Sequence, residues 1–115
     1  MTEETRMEGT QTATRLRIYL GEEKREGDLP LYQAIVRHAR QRGLAGVTVL
    51  RGTQGYGRST RLHTADVLFS DDLPVVIEIV DLAERVEGFA QLLDHLAGIG
   101  LITCETVAVR GTRRL

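Results

Sequence analysis

The chain has no tryptophan, two phenylalanines, two prolines and a single cysteine, Cys104. One cysteine excludes an internal disulfide framework and a cysteine-based zinc cluster. No apolar run approaches the ~20 residues that span a bilayer, and no charged-then-apolar leader opens the chain, so a cytoplasmic protein is expected. A formal net charge of −1 supplies no overall attraction to nucleic acid or membrane. What is present, 42% apolar and 27% charged residues, is the mixture of a soluble globular protein. At 115 residues one domain can bury roughly 65% of its unfolded-chain surface without a metal or disulfide staple.

Residues 1–14 are rich in Thr and Glu and show no apolar periodicity, which predicts a disordered N-terminal tail. From Arg15 to Leu20 the pattern alternates: Leu16, Ile18 and Leu20 point one way, Arg15, Arg17 and Tyr19 the other, as in a half-buried strand. The charged, Gly-punctuated stretch from Gly21 to Asp28 reads as a loop. Pro30 suits the first turn of a helix, where its missing N–H costs nothing. Leu31, Ala34, Ile35, His38 and Ala39 then form one apolar stripe, and Gly43 supplies a left-handed stop. Val47–Arg51 and Val75–Val80 are β-rich, the second being the strongest strand signal in the chain. Asp81 is placed to cap a second helix with the stripe Val86, Phe89, Ala90, Leu93, Leu96 and Ala97, ended by Gly98 and Gly100. Leu101 to Val109 is the last strand.

The order β-α-β-β-α-β predicts an α+β, ferredoxin-like fold: a four-stranded antiparallel sheet with both helices on one face. The domain is expected over 15–110, followed by a short basic tail at 111–115. The uncovered face would carry Tyr19, Val76, Val80 and Leu50, with Arg17 and Glu78 among them. Apolar side chains on a face that should be polar favour self-association. Arg17 and Glu78, on neighbouring central strands, can pair and so enter such an interface.

The segment from Arg51 to Thr64, RGTQGYGRSTRLHT, concentrates glycine and arginine. Its glycines permit close approach to main-chain N–H groups, while Arg51, Arg58 and Arg61 offer forked donors suited to phosphate or carboxylate. This describes an anion-binding loop or a docking finger, without the spacing of a Walker loop or a dinucleotide fingerprint. His63 in that loop has no partner set at metal-ligand spacing, His38 on the apolar stripe reads as a core histidine with a local partner, and His95 as solvated. No metal site follows. Cys104 is expected as a small packed side chain. No base stands near a plausible nucleophile, so no catalytic residue is assigned and a non-enzyme is expected. The arginines after the last strand are too few to argue for nucleic acid.

The blocks LRIYLGE, PLYQAIVRHARQRGLAGVTVLRGTQGYGRSTRLHT and DLPVVIEIVDLAERVEGF closely resemble the uncharacterised PII-like domain family numbered one-ninety, from about Leu16 to Val109. Through Gly46-x-Thr48-Val49, Gly55-Tyr56-Gly57-Arg58 and Ile77-Glu78-Ile79-Val80 the chain is more distantly similar to PII signal-transduction proteins. The resemblance implies a homotrimer with sheets facing inward, ligand clefts between subunits, and a long loop that contacts regulated proteins. It implies an adenine nucleotide as effector, with no cofactor required, bound by Thr48, Gly55, Gly57, Arg58 and Arg110, Arg61 adding charge. Arg17, Tyr19, Val76, Glu78 and Val80 would then lie in the subunit interface. The family's association with a fluoride channel makes a membrane channel or transporter the implied partner. The alternatives are a small enzyme acting on a nucleotide in the same cleft and a ligand-independent channel adaptor. Gly98-Ile99-Gly100-Leu101 lacks the Asp and Lys of the corresponding PII turn, which weakens the expectation of tight ATP binding. Ser59 stands where PII proteins commonly carry glutamine, and no tyrosine lies between Arg58 and Pro74 for the usual modification.

Overall fold

A computed structural model describes residues 9–56, 72–111 and 114–115. Strand β1 spans Thr10–Gly21, a two-residue hairpin pairs β2 (Arg25–Glu26) with β3 (Leu29–Pro30), and helix α1 covers Leu31–Gln41. Then follow β4 (Val47–Arg51), β5 (Pro74–Asp81), α2 (Ala83–Leu93) and β6 (Ile99–Arg110). The four long strands form one antiparallel sheet in the order β4-β5-β1-β6. This is the ferredoxin-like arrangement expected from the chain order, with the small hairpin added between β1 and α1.

The alternation in β1 and β5 puts Leu16, Ile18, Leu20, Val75, Ile77 and Ile79 on one face, all buried. Helices α1 and α2 close over them with Leu31, Ile35, Val86, Phe89 and Leu93. Each such side chain contributes roughly 1.5–3 kcal/mol on burial, so this single layer is the main source of stability. Gly43, at φ +74°, ends the first helical segment in the left-handed conformation its position required.

Several local expectations are corrected. Thr10–Thr14, assigned from sequence to the tail, belong to β1 and pair with Thr106–Arg110 of β6; Ala13 among them is buried. Threonine suits a pleated surface, and the ladder to β6 supplies the backbone partners that no local pattern announces. Residues 1–8 lie outside the described residues. The stretch after β1 turns through Gly27, at φ +58°, and so makes the β2–β3 hairpin instead of a plain loop. Pro30 occupies the position before the first helical turn, with extended backbone at ψ 136°.

Helix α2 ends at Leu93, short of the expected Gly98, and Ala97 is exposed in the following turn. Cys104, expected to be packed, is exposed. It stands on the helix-side face opposite Leu16, but the helices pack over β1 and β5 and leave this part of the edge strand β6 uncovered. His38 is half-buried, its Nε2 3.4 Å from Glu26 Oε1 of the hairpin. His95 is exposed, and His63 lies outside the described residues.

Candidate functional site

The face away from the helices carries charge down its middle and apolar side chains on either side. Arg17 stands directly opposite Glu78, and its Nε donates to Glu78 Oε2 at 2.8 Å, the pairing expected from the two central strands. That hydrogen bond, with the carboxylate's charge, raises the pKa of Arg17. Beside it Arg15 Nε donates to Glu105 Oε1 at 3.2 Å; the same contact lowers the pKa of Glu105, through the hydrogen bond first and the guanidinium charge second. Tyr19 lies opposite Val76 and Leu101, and Leu50 opposite Val76. Leu50 is 53% exposed and Leu101 55%. This is an apolar surface with its charges already matched.

A cavity of about 340 Å³ opens on this face at the β4 edge. Ala45, Gly46, Val47 and Thr48 form one wall, Glu78 and Val80 the other, and Leu115 closes one side. The wall is backbone-rich because β4 is the outer strand of the sheet, and among the described residues one side of its main chain has no ladder partner. Thr48 lies directly opposite Glu78 in the β4–β5 register, which places a hydroxyl and a carboxylate together beside the apolar Val80. Leu115, in the expected basic tail, is held by its N–H, which donates to Gln11 Oε1 of β1 at 3.0 Å. The three segments carrying the PII similarity include two that build this cavity: Gly46-x-Thr48 and Glu78-x-Val80.

Asp81 is the one buried charged side chain among the described residues. The sequence suggests a helix cap, but the cap position is Leu82, and Asp81 ends β5 pointing inward. Its Oδ2 accepts from Ala45 N at 2.9 Å and its Oδ1 from Leu82 N at 2.7 Å. Arg85 Nη1 stands 3.4 Å from Oδ1. A buried carboxylate survives only with such donors.

At the other end of the sheet the long β4–β5 connection is rooted against the turn after β1. Glu22 N donates to Leu73 O at 2.8 Å and Gly52 N to Pro74 O at 2.7 Å, and Arg51 forms an ion pair with Glu22. A Cβ at Gly52 would come 2.8 Å from Pro74 Cγ and one at Gly55 3.2 Å. Both glycines therefore let the connection pack on Pro74 at the root. Gly57, Arg58 and Arg61 lie outside the described residues.

One copy does not unite the residues expected to bind ligand. Gly55 packs on Pro74, which pairs with Gly21 at one end of β1, whereas Arg110 pairs with Thr10 at the other. At about 3.3 Å per residue the ends of β1 are about 35 Å apart. Thr48, opposite Glu78, lies between them. Among the described residues no group of three His, Cys, Asp or Glu could hold a metal ion, and no helix is long and apolar enough to cross a membrane.

The model of the DUF190 family, described as an uncharacterized ACR, matches residues 13–109. A UPF0166 protein of Aquifex aeolicus is 36% identical over 97 residues, 82% of this chain and 90% of that protein. A UPF0166 protein of Methanocaldococcus jannaschii is 39% identical over 89 residues, 76% and 82% of the two chains. Among solved structures, CPII of Thiomonas intermedia K12 bound to ADP, AMP and acetate superposes with a TM-score of 0.64 at 16% identity, over 87% of this chain and 90% of that one. The fold is thus PII-like.

Proposed function

The chain belongs to the DUF190 family, and we propose that it is a PII-like regulatory protein that binds an adenine nucleotide between copies of itself. The observation that carries this reading is the cavity at the β4 edge. Its volume falls in the range of small-ligand sites, and the apolar Val47, Val80 and Leu115 line it together with the polar Thr48 and Glu78, beside the edge strand of the described sheet. An aromatic base with a hydrogen-bonding edge suits such a slot. CPII, a nitrogen regulatory PII-like protein of the same fold, binds ADP and AMP.

In this reading Gly55 and Arg110, which stand at opposite ends of the sheet in one copy, would meet at one nucleotide through a second copy that brings its own end of the sheet alongside. Packing three open faces against one another would bury Tyr19, Val76, Val80 and Leu50 with the Arg17–Glu78 pair inside. The base would occupy the Thr48–Glu78–Val80 cavity of one copy. The phosphates would reach the loop root of its neighbour at Gly55, and main-chain N–H groups of Gly55 and Gly57 with the charges of Arg58 and Arg61 would bind them. Arg110 would close the site. Contact between the nucleotide and the 52–64 loop would then set affinity for a regulated protein, a channel or transporter being the class implied by the family. No turnover is part of this reading.

Titration calorimetry with ATP, ADP, AMP and cyclic AMP tests it. The expected result is saturable heat with one nucleotide per chain. Absence of heat with all four at millimolar concentration would overturn it.

A further inference from the structure

Part of one cavity wall, Ala45 and Gly46, lies in neither sheet nor helix. Val47 is the first residue of the β4–β5 ladder, where it lies opposite Ile79. On the other side, Gly43 and Leu44 are tied back to helix α1 through their N–H groups, to Arg40 O and Ala39 O. Ala45 and Gly46 fall between these two anchorages, and both line the cavity. The space beside Gly46 is open, since a Cβ built on it would meet nothing within 4 Å.

We infer that Asp81 is the positioning residue of this site: its buried carboxylate fixes the Ala45–Gly46 wall at a set distance from the Glu78–Val80 wall. The geometry is direct. Asp81 follows Val80 in β5, so it is part of the same strand as the fixed wall. Its Oδ2 reaches across to Ala45 N at 2.9 Å, and its Oδ1 is held by Leu82 N at 2.7 Å. The carboxylate is fully buried, so water does not compete for these bonds. Losing one acceptor oxygen leaves a buried N–H unpaired, and the turn must move to rehydrate it. Asp81 touches no part of the cavity's contents; it acts through Ala45. Arg85, at 3.4 Å and on the solvent side of the pair, is an accessory to this clamp.

The inference rests on the nucleotide reading only for its ligand-binding consequence, and the test separates the two. Amide hydrogen exchange on the full chain, followed by NMR, reads the clamp without any ligand. Ala45, outside every helix and strand, is expected to be protected in the wild type. In Asp81→Asn, which keeps the shape and loses one acceptor oxygen, Ala45 should exchange at least tenfold faster while Val49 and Ile77 keep their protection. Calorimetry with ADP should show about a tenfold loss of affinity in the same variant. Arg85→Gln, which leaves both backbone bonds in place, should change neither. Wild-type Ala45 exchanging at the rate of an open turn would overturn the inference. So would uniform acceleration across the sheet in Asp81→Asn, or unchanged ADP affinity in a variant whose Ala45 has lost protection. If wild-type protein binds none of the four adenine nucleotides, the nucleotide reading fails, and the exchange of Ala45 still decides whether Asp81 holds the wall.

Discussion

Replacing Leu50 by Asp tests the role of the open sheet face. In an isolated copy Leu50 is 53% exposed, so the change costs little beyond strand preference, a scale that spans about 1 kcal/mol in total. In an assembly that covers the face, the remaining half of the leucine surface is also buried. Full burial of such a side chain is worth roughly 1.5–3 kcal/mol, so the lost half is about 1 kcal/mol per copy. Three copies lose about 3 kcal/mol, and each carboxylate pushed into the interface adds the cost of burying an unpaired charge. The combined penalty lowers the assembly constant by well over a hundredfold. Sedimentation velocity across a concentration series should show the wild type as an oligomer and Leu50→Asp as single copies that keep the wild-type circular dichroism spectrum, with an unfolding midpoint lowered by the lost association. Val49→Asp is the internal control: Val49 is the adjacent residue, 39% exposed and facing the helix side, and should weaken folding without dissociating the oligomer. An oligomer in Leu50→Asp with wild-type concentration dependence would refute the reasoning.

Gly46→Val should place a side chain in open cavity space, where a Cβ meets nothing within 4 Å; ADP affinity should fall at least tenfold with the fold retained, as read by calorimetry and circular dichroism. Phe89→Ala empties the centre of the helix–sheet core and should cost about 3–5 kcal/mol in urea unfolding. The folded pKa of Glu105 lies below its unfolded value, about 4.5, so its pairing with Arg15 stabilises the fold above that pH and is lost as pH falls through the folded value. Unfolding midpoints of wild type and Arg15→Met should therefore differ at neutral pH and converge in acid. Arg58→Ala should weaken nucleotide binding about tenfold or more, the worth of a charged hydrogen bond of ~1.5–3 kcal/mol.

Where a residue's environment is set by its own strand or helix, the sequence pattern reads it well. Leu16, Ile18 and Leu20, the Val75–Val80 run, the α1 stripe and the Arg17–Glu78 pair all follow from periodicity and strand adjacency. The misses are residues whose environment is decided by distant chain. Thr10–Thr14 become strand because β6 pairs with them, 90 or more residues later in the chain. Cys104 looks packed in an apolar strand, but its neighbourhood depends on how far the helices extend over the sheet edge. Asp81 carries the usual signal of a helix cap, and nothing local says that the N–H it takes up belongs to Ala45. Of the residues expected to bind ligand, Thr48 lies at the cavity, whereas Gly55 and Arg110 stand at opposite ends of the sheet. The glycine-rich signal at Gly55 also has a local cause, its packing on Pro74. Glu78 and Val80, expected from sequence in an interface, line the cavity, a placement that only the register reveals.

Native mass spectrometry of the full chain, sprayed with and without ADP, reads stoichiometry and occupancy in one spectrum. Three chains carrying up to three nucleotides, with Leu50→Asp yielding single chains that carry none, is the predicted outcome. A lone chain that retains ADP, or a trimer that never takes it up, would contradict a nucleotide site built between copies.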